Sequence, residues 1–113
     1  HYAPRGTVTL GEGAEEAVTA ALRERCLEDR AAGKRSCVLC FTEHLEALAE
    51  CSPHDIGSAQ DEREVAHRLF EILRQLDQEG METIYSEVLP PEGVGLAVMN
   101  RLGRAAAFRT IRV

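Results

Sequence analysis

The feature that most constrains the fold is a short apolar run, Ser36 to Phe41, lying between two longer segments with helical periodicity. The run is too short for a helix and has no polar face, which predicts a strand buried on both sides. Such strands occur in parallel sheets that are covered by helices on both faces. We therefore expect this strand to be central in an α/β domain.

The rest of the chain alternates in the same way. Further strands are predicted at Thr7 to Leu10, around Asp55 and Ile56, where Pro53 favours a sheet edge, and at Glu82 to Leu89. Helices are predicted at Ala14 to Ala32, Glu43 to Glu50, Ser58 to Glu79 with Ser58 as N-cap, and Leu96 to Ala107. Phe108 to Val113 adds a short strand or a tail. The sequence thus predicts a Rossmann-like three-layer α/β/α domain with a mostly parallel sheet of four to five strands.

Charge restricts the partners of the chain. The formal net charge of −6 over 113 residues argues against direct nucleic-acid binding, which depends on cations that neutralise phosphates. The stretch from Gly93 to Val113 nevertheless contains arginines and no acid, so a local anion site remains open there. No apolar run approaches the ~20 residues that span a bilayer, and no membrane partner is expected.

The four cysteines have a spacing that invites a metal reading. Cys37 and Cys40 are three apart, as are Cys51 and His54. Residues three apart on a strand point to opposite faces, so we predict no metal site and interpret the cysteines as small buried side chains. Without a secretory signal, reduced thiols and a cytoplasmic location are expected. His44 and His67 fall on polar helical positions and are expected in solvent.

Two glycine pairs are candidates for anion binding. Gly11 and Gly13 open the first predicted helix, but the third glycine of a dinucleotide loop is replaced by Glu16, which favours a plain turn. Gly93 and Gly95 follow a strand and precede a helix without a downstream acid, which suits an anion better. Asn100, Arg101 and Arg104 on that helix complete this candidate anion or interdomain site. The alternatives are a turn that needs glycine and a solvated helix face.

Two stretches carry a family resemblance: His1-Tyr2-Ala3-Pro4-Arg5, and LFEILRQLDQEGMETIYSEVLPPEGVGLAVMNRLGRAA from Leu69 to Ala107. Together they resemble the C-terminal region of two-domain threonylcarbamoyl-AMP synthases of the Sua-five type. In these proteins a YrdC-like catalytic domain is followed by a linker with an HYAP motif and a small Rossmann-like domain. The start at His1 rather than Met fits a chain whose upstream part is absent.

The resemblance implies a division into a linker end, residues 1–6, and an accessory domain, residues 7–113. The intact protein would use ATP and Mg²⁺ to condense L-threonine and bicarbonate into L-threonylcarbamoyl-AMP for tRNA modification. Its catalytic groups would lie in the YrdC-like domain, the expected partner, so this chain alone is expected to be inactive and to hold no cofactor. His1 and Tyr2 would cover the bound nucleotide.

A second hypothesis stays open beside the first. An autonomous Rossmann-like domain that binds a nucleotide or effector at the carboxyl ends of its strands fits the same pattern. A phosphorylation receiver does not fit, because no acceptor Asp follows Phe41 and Lys34 is the only lysine. A homo-oligomer is compatible with either hypothesis.

Overall fold

A computed structural model describes residues 6–89 and 109–113. In these ranges the chain forms five strands, two α-helices and two short 3₁₀ turns. Their order is β1 (Thr7–Glu12), α1 (Glu15–Ala31), β2 (Ser36–Cys40), the turns Thr42–His44 and Ala49–Cys51, β3 (Pro53–Asp55), α2 (Glu62–Gln78), β4 (Thr83–Glu87) and β5 (Arg109–Arg112). None of the helices described is long and apolar enough to cross a membrane.

The five strands form one sheet in the order β3-β2-β4-β1-β5. Every strand pair in the described ranges is parallel, which confirms the predicted α/β class. β3 lies at an edge, as Pro53 predicts, because proline cannot donate to a second neighbouring strand. β2 is interior and buried at all five positions, but the middle strand is β4. Burial on both faces is shared by interior strands, so it does not identify the middle one.

In the described ranges, α1 covers one face of the sheet and α2 covers the other. On one face the α2 residues Val65, Leu69 and Leu73 pack with Leu39 and Ile84. On the other face the α1 residues Val18, Leu22 and Cys26 pack with Val38 and Tyr85. These two cores give the three layers that the sequence predicts.

The start of α2 differs from the prediction. The N-cap is Asp61, whose side chain accepts a hydrogen bond from the amide of Glu64. Ser58 lies three residues earlier and its hydroxyl accepts from the amide of Gln60. Both residues have an oxygen suited to capping, and the sequence alone did not separate a cap from a local turn.

The predicted helix from Glu43 to Glu50 is absent. Two 3₁₀ turns take its place, and Leu45, Leu48 and Cys51 pack against the α1 face of the sheet. These three residues are spaced by three, which is the repeat of a 3₁₀ helix, so they align more closely in that winding than in an α-helix. Burial of this row therefore favours the tighter winding.

The last residues of the chain form a strand. Arg109–Arg112 forms β5 beside β1, so the last residues give a strand rather than a tail. The predicted helix from Leu96 to Ala107 lies outside the described residues. The predicted linker motif at the start of the chain, His1 to Pro4, lies outside them as well.

The two cores should contribute similarly to stability. Replacing Leu22 or Leu69 by Ala removes a side chain that is at most 2% exposed, and each change should lower the free energy of unfolding by about 2–5 kcal/mol. Urea denaturation of the purified chain measures this loss. Glu24→Ala on the exposed side of α1 is the matched control, and an equally large loss there would contradict the assignment of the cores.

Candidate functional site

A cleft of about 520 Å³ lies at the carboxyl ends of the strands. Its described walls come from the ends of β1 and β4 and from the residues that follow β2 and β3, and include Gly11, Glu15, Phe41, Ala59 and Leu89. β1 and β4 are neighbours, yet the chain continues from β1 toward β2 and from β4 toward β5, on opposite sides. Ligands of open α/β sheets bind at such reversal points. This cleft is the candidate functional site.

Two glycines allow the backbone to close one wall. A Cβ at Gly11 would stand 2.7 Å from Val18 Cγ1, so only glycine lets α1 approach β1 this closely. Gly13 has a φ of 134°, and a Cβ there would collide with the carbonyl oxygen of Val113. Packing therefore accounts for both glycines. Glu15 and Glu16 in the first turn of α1 also disfavour a phosphate there, so these contacts support the interpretation of the loop as a plain turn.

Glu87 forms the buried floor of the cleft. It ends β4 and is 3% exposed. Its Oε2 accepts a hydrogen bond of 2.8 Å from the amide of Phe41, and its Oε1 accepts one of 3.1 Å from the hydroxyl of Thr19. A buried carboxylate requires such donors. Glu87 therefore joins the end of β4 to the end of β2 and to α1.

His44 lies between Glu87 and a second carboxylate. Its Nε2 is 2.6 Å from Glu15 Oε1, and its Nδ1 is 2.6 Å from Glu87 Oε1. The second contact has the distance of an ion pair without the alignment of a hydrogen bond. Burial acts to lower the pKa of His44, but Glu87 and Glu15 outweigh it, so the pKa is raised.

The prediction that His44 is solvated was therefore wrong: its side chain is only 15% exposed. The 3₁₀ turn aims the ring into the molecule, where the predicted α-helix would have left it outside. His67, with a side chain 74% exposed beside Glu71, lies in solvent as predicted.

A second group of polar residues holds the loop that follows β3. Asp55 Oδ1 accepts hydrogen bonds from the hydroxyl of Thr42 at 2.6 Å and from the amide of Gly57 at 2.8 Å. The Thr42 bond is the main reason that the pKa of Asp55 is lowered. Glu43 accepts from the amide of Ala59. These bonds fix the wall of the cleft to which Ala59 belongs.

The charge of the described walls disfavours anions. They carry the carboxylates of Glu12, Glu15 and Glu87, and the remaining described lining residues are apolar or glycine. Of these three carboxylates, Glu12 is paired with an arginine, Arg112, at 3.2 Å in the described part of the chain. The predicted anion or interdomain residues Gly93, Gly95, Asn100, Arg101 and Arg104 lie outside the described residues, as do His1 and Tyr2, so those assignments stay predictions.

All four cysteines are buried and free, and the predicted pair Cys37 and Cys40 does not converge. Cys37 packs on the α2 side of the sheet and Cys40 on the α1 side, as expected for residues three apart on a strand. Burial raises the pKa of both thiols to about 12 and that of Cys51 to about 11. In the described ranges no three His, Cys, Asp or Glu side chains gather as metal ligands do. These cysteines therefore behave as apolar side chains.

The cluster of Glu15, His44 and Glu87 was missed from the sequence. These residues are separated by 29 and 43 positions along the chain, and only the strand order brings them together. One signal was available: Glu87 is an acid at the end of a strand that is otherwise buried, and such an acid needs a partner.

Removing the buried carboxylate should be costly. Glu87→Ala leaves the amide of Phe41 and the ring of His44 without their acceptor, and the free energy of unfolding should fall by about 3–5 kcal/mol. Urea denaturation near pH 6 measures this loss of stability. Glu71→Ala breaks the exposed pair with His67 and is the matched control, expected to change little. A similar small effect of both changes would show that Glu87 does not fasten these strands.

Comparison with known proteins places the chain in a family. A family model described as the C-terminal domain of threonylcarbamoyl-AMP synthase matches residues 1–107. The chain is 32% identical over 114 residues to the threonylcarbamoyl-AMP synthase of Pyrococcus abyssi, covering 100% of this chain and 32% of that protein. It is 33% identical over 112 residues to that of Bacillus subtilis, covering 99% and 31%. The chain thus spans about a third of the length of these relatives.

Solved structures that resemble this chain belong to the same family. The P. abyssi Sua5 protein in complex with L-threonine matches with a TM-score of 0.84 and 32% identity, over 100% of this chain and 32% of that one. The C-terminal Sua5 domain of Pyrococcus horikoshii, solved by itself, matches with a TM-score of 0.73 and 29% identity, over 97% and 99%. The alternating strands, the parallel sheet and these matches agree: the chain belongs to the family of threonylcarbamoyl-AMP synthase C-terminal domains.

Proposed function

We propose that this chain is the accessory domain of an enzyme that makes L-threonylcarbamoyl-AMP from L-threonine, bicarbonate and ATP for the modification of tRNA in the cytoplasm. The observation that carries the proposal is that its full length matches about a third of synthases from two organisms. We place the catalytic domain, with its ATP and Mg²⁺, in the rest of those proteins. In this reading the domain docks on the catalytic domain and supports it.

The charge of the cleft supports an accessory rather than a catalytic role. Transfer of a nucleotidyl group needs cations near the phosphates, supplied by Lys, Arg or Mg²⁺. The described walls of the cleft offer three carboxylates instead. Lys34 lies between α1 and β2, at the opposite end of the sheet. Activation of threonine by ATP therefore fits the missing domain better than this one.

The second part of the proposal concerns His1 to Pro4. Pro4 restrains Ala3 to extended geometry, and the His-Tyr pair offers stacking and hydrogen bonds without a helix or strand to stabilise. A solved variant of the P. abyssi Sua5 protein has alanines in place of a consecutive His-Tyr pair, and it matches this chain with a TM-score of 0.82. We infer that this segment covers the nucleotide on the catalytic domain.

This inference predicts a separation of function from stability. In the full-length protein, replacing His1 and Tyr2 by Ala should weaken ATP binding about tenfold by loss of stacking and hydrogen bonds. The melting temperature of this domain should stay nearly unchanged, because the segment precedes β1. Calorimetric titration and thermal unfolding measure the two effects.

The control for this experiment is His67→Ala with Glu71→Ala, a pair of exposed changes on α2 that should alter neither quantity. Unchanged ATP affinity with a large loss of stability would contradict the linker assignment, because it would place His1 and Tyr2 in the core of this domain.

A second candidate function is favoured by the position of the cleft at the reversal point of the sheet. An autonomous effector domain would bind its ligand there. The two functions differ in the isolated chain: as an accessory domain, it should form no threonylcarbamoyl-AMP and should hydrolyse no ATP. The assay is product formation with threonine, bicarbonate and ATP, with the full-length protein as positive control. Turnover of ATP by the isolated chain that is lost on Glu15→Gln would favour the autonomous function.

A further inference from the structure

We propose that His44 is an ionic clamp on the cleft, closed when its ring is charged and released on the α1 side when the ring loses its proton. The clamp joins three separate elements: the start of α1 through Glu15, the end of β4 through Glu87, and the 3₁₀ turn Thr42–His44. Glu15 and Glu87 both line the cleft. The proposal concerns this domain alone and does not depend on the proposed function.

A charged ring suits both contacts of His44, the hydrogen bond with Glu15 and the ion pair with Glu87. Both nitrogens of His44 lie 2.6 Å from a carboxylate oxygen. An imidazolium donates from both nitrogens, whereas a neutral imidazole donates from only one. In the neutral ring, one carboxylate therefore faces an acceptor rather than a donor.

Burial decides which carboxylate leaves. The side chain of Glu87 is 3% exposed, whereas that of Glu15 is 73% exposed. An unpaired buried carboxylate is costly, while an exposed one is solvated by water. Glu87 also keeps its bonds to Phe41 and Thr19. Loss of the proton should consequently free Glu15 and leave His44 with Glu87.

The surrounding charges act in the same direction. Glu15 faces the ring from α1 and Glu87 from β4, and Glu43 adds a third carboxylate on the same 3₁₀ turn. Asp55, at the end of β3, is occupied by Thr42 and Gly57. With the ring neutral, Glu15 and Glu87 face it, with Glu43 nearby, without the compensating charge that it supplied. Their repulsion favours separation of α1 from the turn.

The direction of the pH effect follows from the raised pKa of His44. A group whose pKa is higher in the folded state stabilises that state fully below its unfolded value, which for histidine is about 6.5. This stabilisation is lost as the pH rises through the raised value. The clamp is thus closed in mildly acidic solution and opens above the titration of His44.

Besides the clamp, the segment from Thr42 to Cys51 has polar ties to neighbouring elements at Thr42, Glu43 and Glu50. Leu48 and Cys51 anchor its far end in the α1 core, and Thr42 anchors its near end through the carbonyl of Gly57. The amides of His44, Leu45 and Leu48 bond only within the segment, to Phe41, Thr42 and to His44 with Leu45 respectively. Their exchange with solvent therefore reports on whether the clamp holds the turn in place.

The test uses the isolated chain, since the corresponding domain of P. horikoshii has been solved by itself. NMR follows the ring of His44 to locate its titration, with His54, whose pKa is lowered by burial, as an internal reference. The protection of the amides of His44, Leu45 and Leu48 against hydrogen exchange is corrected for intrinsic exchange. At pH values above the titration of His44, this protection should be about three- to tenfold lower than below it. Core amides of β2 should keep their protection, and the methyl signals of Val18 should shift with the same midpoint.

Three variants make the outcome decisive. Glu15→Gln and His44→Gln should show the low protection at both pH values, while His67→Gln should keep the wild-type change. If His44→Gln does not fold, Glu15→Gln decides, because Glu15 is exposed. Constant protection through the titration of His44 in the wild type, or an undiminished pH effect in Glu15→Gln, would overturn the proposal.

Discussion

The pairing of β4 with both of its neighbours is the constraint on which the described structure depends. β4 aligns with β1 over five positions, from Thr7 with Thr83 to Gly11 with Glu87, and with β2 over four. β3 pairs with β2 and β5 with β1. Without β4 the sheet would divide into two isolated pairs, each too small to bury a helix. The same strand ends in Glu87, so sheet integrity and cleft geometry share one element.

The sequence predicted the fold because its two periodicities are local. An unbroken apolar run and a 3.6-residue stripe can be recognised without knowing what they pack against, and β2 and α2 followed from them directly. The prediction of an α-helix over residues 43–50 was wrong for the opposite reason, because the winding there depends on contacts with the rest of the fold. The apolar row of these residues fits an α-helix over a short window, whereas burial of Leu48 and Cys51 on the α1 side favours the 3₁₀ form.

The site was harder to predict than the fold. The cleft itself follows from the class of the fold, since parallel sheets bind at the carboxyl ends of their strands. Its chemistry does not, because Glu15, His44 and Glu87 meet only after the strands take their order. The error at His44 had a single cause: the helix assigned to its segment pointed the ring outward. A wrong local winding was thus carried into a wrong electrostatic assignment.

The three-residue spacing of Leu45, Leu48 and Cys51 restricts how the connection between β2 and β3 changes in evolution. Each of these side chains packs on the α1 side of the sheet, in or beside the two 3₁₀ turns. Inserting one residue would rotate the later members away from that side by about a third of a turn. Inserting three would restore the row. Length changes in this connection should therefore be tolerated in steps of three, although its exposed positions accept most residues.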